Sequence, residues 1–210
     1  DKDNISIIKG SGVDLTEYTP TSINNTAPII LFASRLLWQK GVADFVTAAS
    51  IVRENNNVVR FVIVGEPDTN NPNSVPVATL YEWNDKGIVE WWGFKNEMST
   101  IISQSKIVVL PSYYGEGIPK VLIEAAASAK PIITTDMPGC REIVIHEVNG
   151  FLIPARDPDA IAMHINQLLV DDELCMNMGI EGRKLVESEF SIDKVNAETL
   201  QIYDDLIGLT

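Results

Sequence analysis

The sequence is poor in cysteine and histidine, with two of each among its 210 residues. Cys140 and Cys175 form no Cys-x-x-Cys pair, which excludes a disulfide scaffold and favours a reducing, cytoplasmic location. His146 and His164 have no histidine or cysteine partner at the spacing of metal ligands, so we expect no metal site.

Basic residues are also scarce, because 16 lysines and arginines stand against 29 aspartates and glutamates and give a formal net charge of −13. An acidic surface repels the phosphates of nucleic acids and anionic lipids, so neither is an expected partner. The charge does not exclude a small anionic ligand, which needs only a local positive pocket.

Long apolar runs are absent as well. No stretch reaches the roughly 20 residues of a membrane-spanning helix, and no signal peptide opens the chain. The sequence starts at Asp1 rather than Met, close to an apolar segment, which suggests a fragment or an excised domain. Its hydrophobic content of 45% is ordinary for a soluble globular protein, and we expect residues 1–210 to form a single domain.

Several common catalytic motifs are missing too. The Gly-x-Gly at residues 10–12 is followed by Leu15, and the one at residues 115–117 by Lys120, where a dinucleotide-binding fingerprint needs glycine. There is no Walker A loop and no Gly-x-Ser-x-Gly elbow. The NAD-binding, P-loop and α/β-hydrolase classes are therefore excluded.

What the sequence does contain is an alternation of apolar runs and helical patterns. Strands are predicted at residues 29–33, 59–64, 88–91, 107–110, 131–134 and 150–153. Helices are predicted at residues 40–54, 75–85, 97–104 and 119–129, with a helical pattern, interrupted by breaks, over 158–207. Continuous apolar strands of this kind predict a parallel sheet covered on both faces. We expect an α/β fold, a Rossmann-like doubly wound sheet of about six strands with a helical C-terminus, and a ligand outside the carboxyl ends of the strands.

The segment PSYYGEGIPKVLIE, residues 111–124, follows a predicted strand and opens a helix near Pro119. Glycines let a ligand approach the backbone, and the free N–H groups and dipole of a helix start bind phosphate. Glu116 in the loop and Glu124 on the helix reach the same cleft from different elements. A pair of solvated glutamates is the alternative, but the apolar neighbours of Glu124 make an unpaired carboxylate costly.

A second polar segment, ASRLLWQKG at residues 33–41, also follows a strand and opens a helix. Its Arg35 and Lys40 suit a pyrophosphate, since a guanidinium binds two oxygens at once and an ammonium adds a point charge. The alternative is a surface arginine and a lysine at a helix start. A lysine in the first turn opposes the helix dipole, which favours a functional role.

Other features receive a structural interpretation. Asp157-Pro158-Asp159 resembles an Asp-x-Asp metal motif, but we interpret Asp157 as the cap of a helix that begins at Pro158. Residues 135–142 either contribute Gly139 and Glu142 to the site or form a turn followed by a short helix. Trp91 is expected to pack in the core.

Together these segments resemble the C-terminal, donor-binding domain of retaining glycosyltransferases of family 4 (glycosyl transferases group 1), which have the GT-B fold. The resemblance covers almost the whole chain. It is carried by residues 11–14 (SGVD), Arg35 with Lys40-Gly41, Gly65, Gly93-Phe94, the Glu-x7-Glu pattern from Glu116 to Glu124, Gly139, Glu142 and Asn149-Gly150.

The resemblance implies roles for these residues. The diphosphate falls to Arg35 and Lys40, the ribose to Glu124, and the donor sugar to Glu116. Glu116, Arg35 and Lys40 form the catalytic set, whereas Glu124 is implied as a ribose anchor away from the reacting atoms. The remaining nucleotide-sugar contacts are implied for Gly117, Ile118, Pro119, Lys120, Val121, Phe94 and Gly65.

The resemblance also implies an activity. A hexose or N-acetylhexosamine would pass from a UDP-sugar to a hydroxyl acceptor with retention of configuration, without a metal or other cofactor. The acceptor would be a saccharide or a lipid-linked saccharide bound by an N-terminal domain that this chain lacks. Such enzymes build bacterial polysaccharide, lipopolysaccharide or glycolipid in the cytoplasm, some at the inner face of the membrane. Two alternatives stay open, a nucleotide-sugar epimerase or hydrolase and a non-catalytic interaction module.

Overall fold

A parallel sheet forms the centre of the fold in the computed structural model, which describes residues 8, 10–21, 27–56, 58–115 and 117–208. Within these ranges the sheet has six strands in the order β3-β2-β1-β4-β5-β6. The strands are β1 (Ile29–Ala33), β2 (Arg60–Val64), β3 (Glu90–Trp91), β4 (Ile107–Leu110), β5 (Ile132–Thr135) and β6 (Gly150–Ile153). Every residue of β1, β4 and β5 is buried, as expected of central strands covered on both faces.

Helices cover the sheet: α1 (Val42–Arg53), α2 (Val77–Asp85), α3 (Met98–Gln104), α4 (Lys120–Ala127), α5 (Cys140–Ile143), α6 (Pro158–Val170), α7 (Asp172–Glu189) and α8 (Ile192–Ile207). Helix α1 packs against α6, and α4 packs against α7. The predicted α/β fold, a doubly wound sheet of six strands with a helical C-terminus, is confirmed. None of the helices in the described ranges is long and apolar enough to cross a membrane.

The helical pattern after residue 158 is broken by polar caps. Asp157, Asp171 and Ser191 each accept a hydrogen bond from a backbone N–H of the helix that follows, α6, α7 and α8 respectively. A side-chain oxygen at this position satisfies an N–H group that has no partner inside the helix. The predicted role of Asp157 as a helix cap is therefore confirmed.

The start of α1 differs from the prediction. Residues Trp38–Lys40 form a short 3-10 helix, and Gly41 follows in the left-handed region with φ of 78°. The α-helix begins only at Val42. Lys40 thus precedes α1 and does not lie in its first turn, so the predicted conflict of Lys40 with the helix dipole is wrong.

The order of the strands defines where a ligand is expected. Strand β1 pairs with β2 on one side and with β4 on the other, so the chain changes direction across the sheet between β1 and β4. In doubly wound sheets, ligands bind outside the carboxyl ends of the strands at this switch point. The loops after β1 and β4 contain the two polar segments identified in the sequence.

Candidate functional site

A cavity of about 280 Å³ opens at the carboxyl ends of β1 and β2, beside α4. Five of the residues selected from the sequence line it, namely Arg35, Gly65, Phe94, Val121 and Glu124. Neither His146 nor His164 lines this cavity. His146 instead accepts a hydrogen bond at Nδ1 from the Leu152 N–H, 3.0 Å away. His146 is therefore held beside the edge strand β6 and not at the cavity.

Arg35 follows β1 and projects into solvent at the cavity. The Ser34 N–H donates to the Val64 carbonyl at 3.2 Å, which extends the pairing of β1 and β2 beyond the strands. The Arg35 side chain is 70% exposed and lies 4.0 Å from an Asp68 carboxylate oxygen. An exposed ion pair of this length contributes little free energy, so the guanidinium can exchange Asp68 for a bound anion.

Gly65 lines the cavity, and only glycine fits at this position. Its φ is 132°, and an added Cβ would lie 1.9 Å from the Ser34 carbonyl oxygen. The Gly65 carbonyl accepts a hydrogen bond from Trp91 Nε1 at 2.9 Å. Trp91 is half-buried, and its hydrogen bond holds the Gly65 backbone in place. Phe94, by contrast, is 62% exposed.

Lys40 does not line the cavity, although it lies in the same loop as Arg35. Its side chain is buried. The loop that contains it contacts the loop after β4, because the Tyr113 N–H donates to the Gln39 carbonyl at 3.0 Å. A Cβ on Gly41 would lie 2.1 Å from the Pro111 carbonyl oxygen, so the two loops touch directly.

The loop after β4 leads into α4, whose N-cap is Pro119. The first N–H groups of a helix have no acceptor inside it, and those of Lys120 and Val121 belong to this turn. No atom lies within 4 Å of the position that a Cβ on Gly117 would take, so the loop backbone is open there. Ile118 is half-buried against Gly10. Glu116 lies outside the described residues, and its contact with the donor sugar stays a prediction.

Glu124 is buried on α4, with 6% of its surface exposed. Its helix neighbours from Leu122 to Ala127 are all buried. The Lys120 Nζ lies 3.3 Å from Glu124 Oε1, one turn earlier on α4. Since Glu124 also lines the cavity, it is a buried carboxylate with access to a ligand.

Tyr18 is a site residue that the sequence did not reveal. It is 6% exposed, and its carbonyl accepts a hydrogen bond from Arg183 Nη1 at 2.7 Å, which also donates to the Ala127 carbonyl on α4 at 2.6 Å. Burial, together with the charge of Glu124, raises the pKa of Tyr18. The only sequence signal is that Tyr18 closely follows the SGVD segment, which does not indicate a contact with α4.

The segment after β5 forms a turn followed by a short helix. Gly139 has a φ of 81° and is the N-cap of α5, which contains Glu142. The Arg141 guanidinium pairs with the Asp136 carboxylate and lowers the pKa of Asp136. None of these residues lines the cavity. Within the described ranges, no group of three or more His, Cys, Asp or Glu side chains is arranged to hold a metal ion.

Comparison with known proteins places these features in a family. The model of the glycosyl transferases group 1 family matches residues 16–185. The chain is 27% identical to an N,N'-diacetylbacillosaminyl-diphospho-undecaprenol alpha-1,3-N-acetylgalactosaminyltransferase of Campylobacter jejuni, over 98% of this chain and 56% of that protein. It is 29% identical to a UDP-Gal:alpha-D-GlcNAc-diphosphoundecaprenol alpha-1,3-galactosyltransferase of Escherichia coli, over 97% of this chain and 54% of that protein.

A solved structure has the same fold. The Anabaena protein Alr3699/HepE, crystallised with UDP, superposes with a TM-score of 0.81 at 20% identity, over 92% of this chain and 56% of that one. The chain spans about half the length of the curated relatives it matches. Since the family model covers most of the sequence, the chain belongs to the glycosyl transferases group 1 family.

Proposed function

We propose that this chain is the nucleotide-sugar-binding domain of a retaining glycosyltransferase that transfers a hexose or N-acetylhexosamine from a UDP-sugar to a hydroxyl acceptor. The observation that carries the proposal is one cavity, beside the start of α4, lined by the buried Glu124 carboxylate and the exposed Arg35 guanidinium. Two curated relatives act on undecaprenol-diphosphate-linked saccharides, and a structural neighbour binds UDP. These support a role in the assembly of a cell-surface polysaccharide or glycolipid.

The nucleotide fits the cavity by its chemistry. A buried carboxylate accepts hydrogen bonds from two neighbouring hydroxyl groups, as the ribose of a nucleotide presents them, so Glu124 is the ribose anchor. The apolar side chains of Phe94, Met98 and Val121 offer a surface for the base. The backbone around Phe94 would meet its polar edge.

The diphosphate would lie beside Arg35 and the start of α4. Arg35 pairs with it as a bidentate donor, Lys40 adds a positive charge from the same loop, and the N–H groups of Lys120 and Val121 point from the start of α4. These groups stabilise the negative charge that develops as the diphosphate leaves. Glu116, with the backbone of residues 117–119, would contact the donor sugar.

Retention of configuration follows in this proposal if the acceptor hydroxyl attacks from the face of the leaving group. The departing phosphate then takes the proton of the acceptor, and the protein needs no nucleophile of its own. The acceptor would be bound by a further domain of the whole enzyme. We propose that the transfer requires no metal ion, so that EDTA would leave it unchanged.

Nucleotide binding is tested by thermal unfolding. UDP at about one hundred times its Kd should stabilise the chain by about 2.7 kcal/mol, which raises the Tm by roughly 5 to 10 °C. Glu124→Ala should fold and lose this response. Glu82→Ala is the matched control, because Glu82 pairs with Lys86 one turn away on α2, as Glu124 does with Lys120 on α4. If saturating UDP, GDP and ADP all leave the Tm unchanged, the proposal is wrong.

A further inference from the structure

The loop after β4 is anchored where it leaves the sheet. The Ser112 carbonyl accepts a hydrogen bond from Thr135 Oγ1 in β5. The N–H of the next residue, Tyr113, donates to the Gln39 carbonyl in the loop after β1 at 3.0 Å. These two bonds hold the first residues of the loop against the edge of the sheet and against the neighbouring loop.

The residues that follow are open to solvent. Tyr114 is 55% exposed, and Gly115 and Gly117 are exposed as well. Apart from chain neighbours, no atom lies within 4 Å of the position that a Cβ would take on either glycine. Within the described part of the loop, Tyr113 is therefore the last anchored residue before Gly117, where the backbone proposed to contact the donor sugar begins.

Arg156 packs on the ring of Tyr113 from a third loop. It lies between β6 and α6, and its guanidinium carbon is 4.5 Å from the centroid of the Tyr113 ring. A cation this close to an aromatic face is attracted by the ring quadrupole. The hydrogen bond to Gln39 thus holds the backbone of Tyr113, and the guanidinium holds its side chain.

The backbone of Arg156 is strained. Its φ is 60°, a left-handed conformation that only Ala129 and Glu147 share among the described non-glycine residues. A residue with a Cβ adopts this conformation at a cost in free energy that glycine does not have. Arg156 is exposed and fills no space in the core. The contact with Tyr113 gives a physical reason for an arginine at a position that suits glycine.

We propose that Arg156 is a positioning residue, whose guanidinium holds Tyr113 and thereby keeps the loop from residue 113 to the start of α4 in the conformation that binds the sugar of a UDP-sugar. The inference rests on the proposed function. Arg156 does not line the cavity that contains Arg35 and Glu124, so it acts through Tyr113. A loop that is held in place before binding loses less conformational entropy when the ligand arrives.

The first test is hydrogen exchange of the Tyr113 amide, followed by NMR. Arg156→Gly removes the guanidinium and also relieves the backbone. We expect the Tyr113 amide to exchange roughly two- to fivefold faster, since an exposed cation–π contact contributes a factor of this size. The Tm should stay within about 2 °C of that of the unchanged chain, because the relieved strain offsets the lost contact. Faster exchange at an unchanged Tm is a local effect, which a general loss of structure would not produce.

Glu147→Gly is the matched control. Glu147 is exposed and has a φ of 63°, but it lies between α5 and β6, where its N–H donates to the Gly150 carbonyl at 2.8 Å. It should leave the exchange of the Tyr113 amide unchanged. Tyr113→Leu removes the ring and should reproduce the effect of Arg156→Gly, and the two substitutions together should have no larger effect than either alone. If the Tyr113 amide in Arg156→Gly exchanges as slowly as in the unchanged chain, the inference is overturned.

The second test compares ligands by isothermal titration calorimetry. UDP, UDP-glucose and UDP-N-acetylglucosamine are titrated into the unchanged chain and into both glycine variants. In Arg156→Gly, the affinity for the more tightly bound UDP-sugar relative to that for UDP should fall roughly two- to fivefold. Glu147→Gly should keep the ratio of the unchanged chain, since the Tyr113 contact remains.

The outcomes separate this inference from the proposed function. If the unchanged chain binds neither UDP nor either UDP-sugar, both are wrong. If it binds UDP and the ratio in Arg156→Gly is unaltered, the nucleotide site stands and the positioning role of Arg156 is refuted.

Discussion

Lys130, which precedes β5 and does not line the cavity at the carboxyl ends of β1 and β2, is a buried cation. It is 3% exposed, and its Nζ donates to the Ser103 carbonyl at 2.7 Å. The same carbonyl accepts a hydrogen bond from Thr21 Oγ1 at 3.2 Å. Burial lowers the pKa of Lys130 to about 8 from its ordinary value of 10.5.

This pKa gives stability a pH dependence with a defined sign. The unfolded chain holds the Lys130 proton up to pH 10.5 and the folded chain only up to about pH 8, so the unfolded state binds more protons between these values. The contribution of Lys130 to the free energy of unfolding should therefore rise with pH across that window. Below pH 8 the cost of burying the charge is fully present, about 3 kcal/mol for a shift of this size.

Lys130→Met should remove this pH dependence. We expect the stability of the variant relative to the unchanged chain to be greatest at pH 7 and to decline toward pH 10, as measured by urea unfolding. Thr21 still satisfies the Ser103 carbonyl in the variant. Lys86→Met, at an exposed position, should leave the slope unchanged. A constant difference across the whole pH range would contradict the prediction.

A comparison of Gly41 with Gly87 separates the energetic cost of a left-handed backbone from the cost of a steric clash with a neighbouring loop. Both have positive φ, 78° and 66°, but a Cβ would meet the Pro111 carbonyl at 2.1 Å in the first case and nothing within 4 Å in the second. Gly87→Ala should cost about 1 kcal/mol, the usual cost of this conformation. Gly41→Ala should cost at least about 2 kcal/mol more and weaken UDP binding, because it separates the two loops. Equal losses in urea unfolding would show that the loops are not in contact.

At the scale of helices and strands, the apolar runs of the sequence correctly predict where the strands lie. The bounds of β1, β4 and β6 agree with the prediction to the residue. Agreement is poorer where the sequence pattern does not report hydrogen bonding. The apolar run 88–91 pairs with β2 only at Glu90 and Trp91, and the left-handed conformation of Gly41 delays α1 by two residues.

The site was predictable only where it follows the strand order. Arg35, Gly65 and Glu124 come together because parallel strands end at one edge of the sheet and the next element starts there. The link between Tyr18 and α4 has no such signal, since it is made by Arg183 from a helix far along the chain. The burial of Lys40 also depends on how two loops pack, which local spacing does not encode.

The cap of α6 tests the structural interpretation of residues 157–159. The Asp157 carboxylate accepts the Ala160 N–H at 2.9 Å, so Asp157→Ala should cost about 1 kcal/mol of stability. Asp157→Asn should retain most of it, since the amide oxygen also accepts. Both variants should keep the thermal response to UDP. A loss of that response would instead indicate a role in ligand binding.

At the scale of the whole molecule, the net charge of −13 acts on stability. Mutual repulsion of like charges destabilises the compact state and is screened by salt. At pH 7 the Tm should therefore rise by a few degrees between 10 and 200 mM NaCl. The rise should be smaller at pH 5, where carboxylates begin to take up protons. If salt lowers the Tm instead, attractive ion pairs outweigh the repulsion.

The contact between the loops after β1 and β4 constrains how these loops can be exchanged with those of a relative. Gln39 accepts hydrogen bonds from the Tyr113 N–H and the Ser112 hydroxyl, and Gly41 rests on Pro111. Replacing only one loop by that of a relative alters the backbone hydrogen bonds and the close packing that the two loops share. Residues 34–41 and 111–119 therefore form one exchangeable cassette, and both segments must be transplanted together.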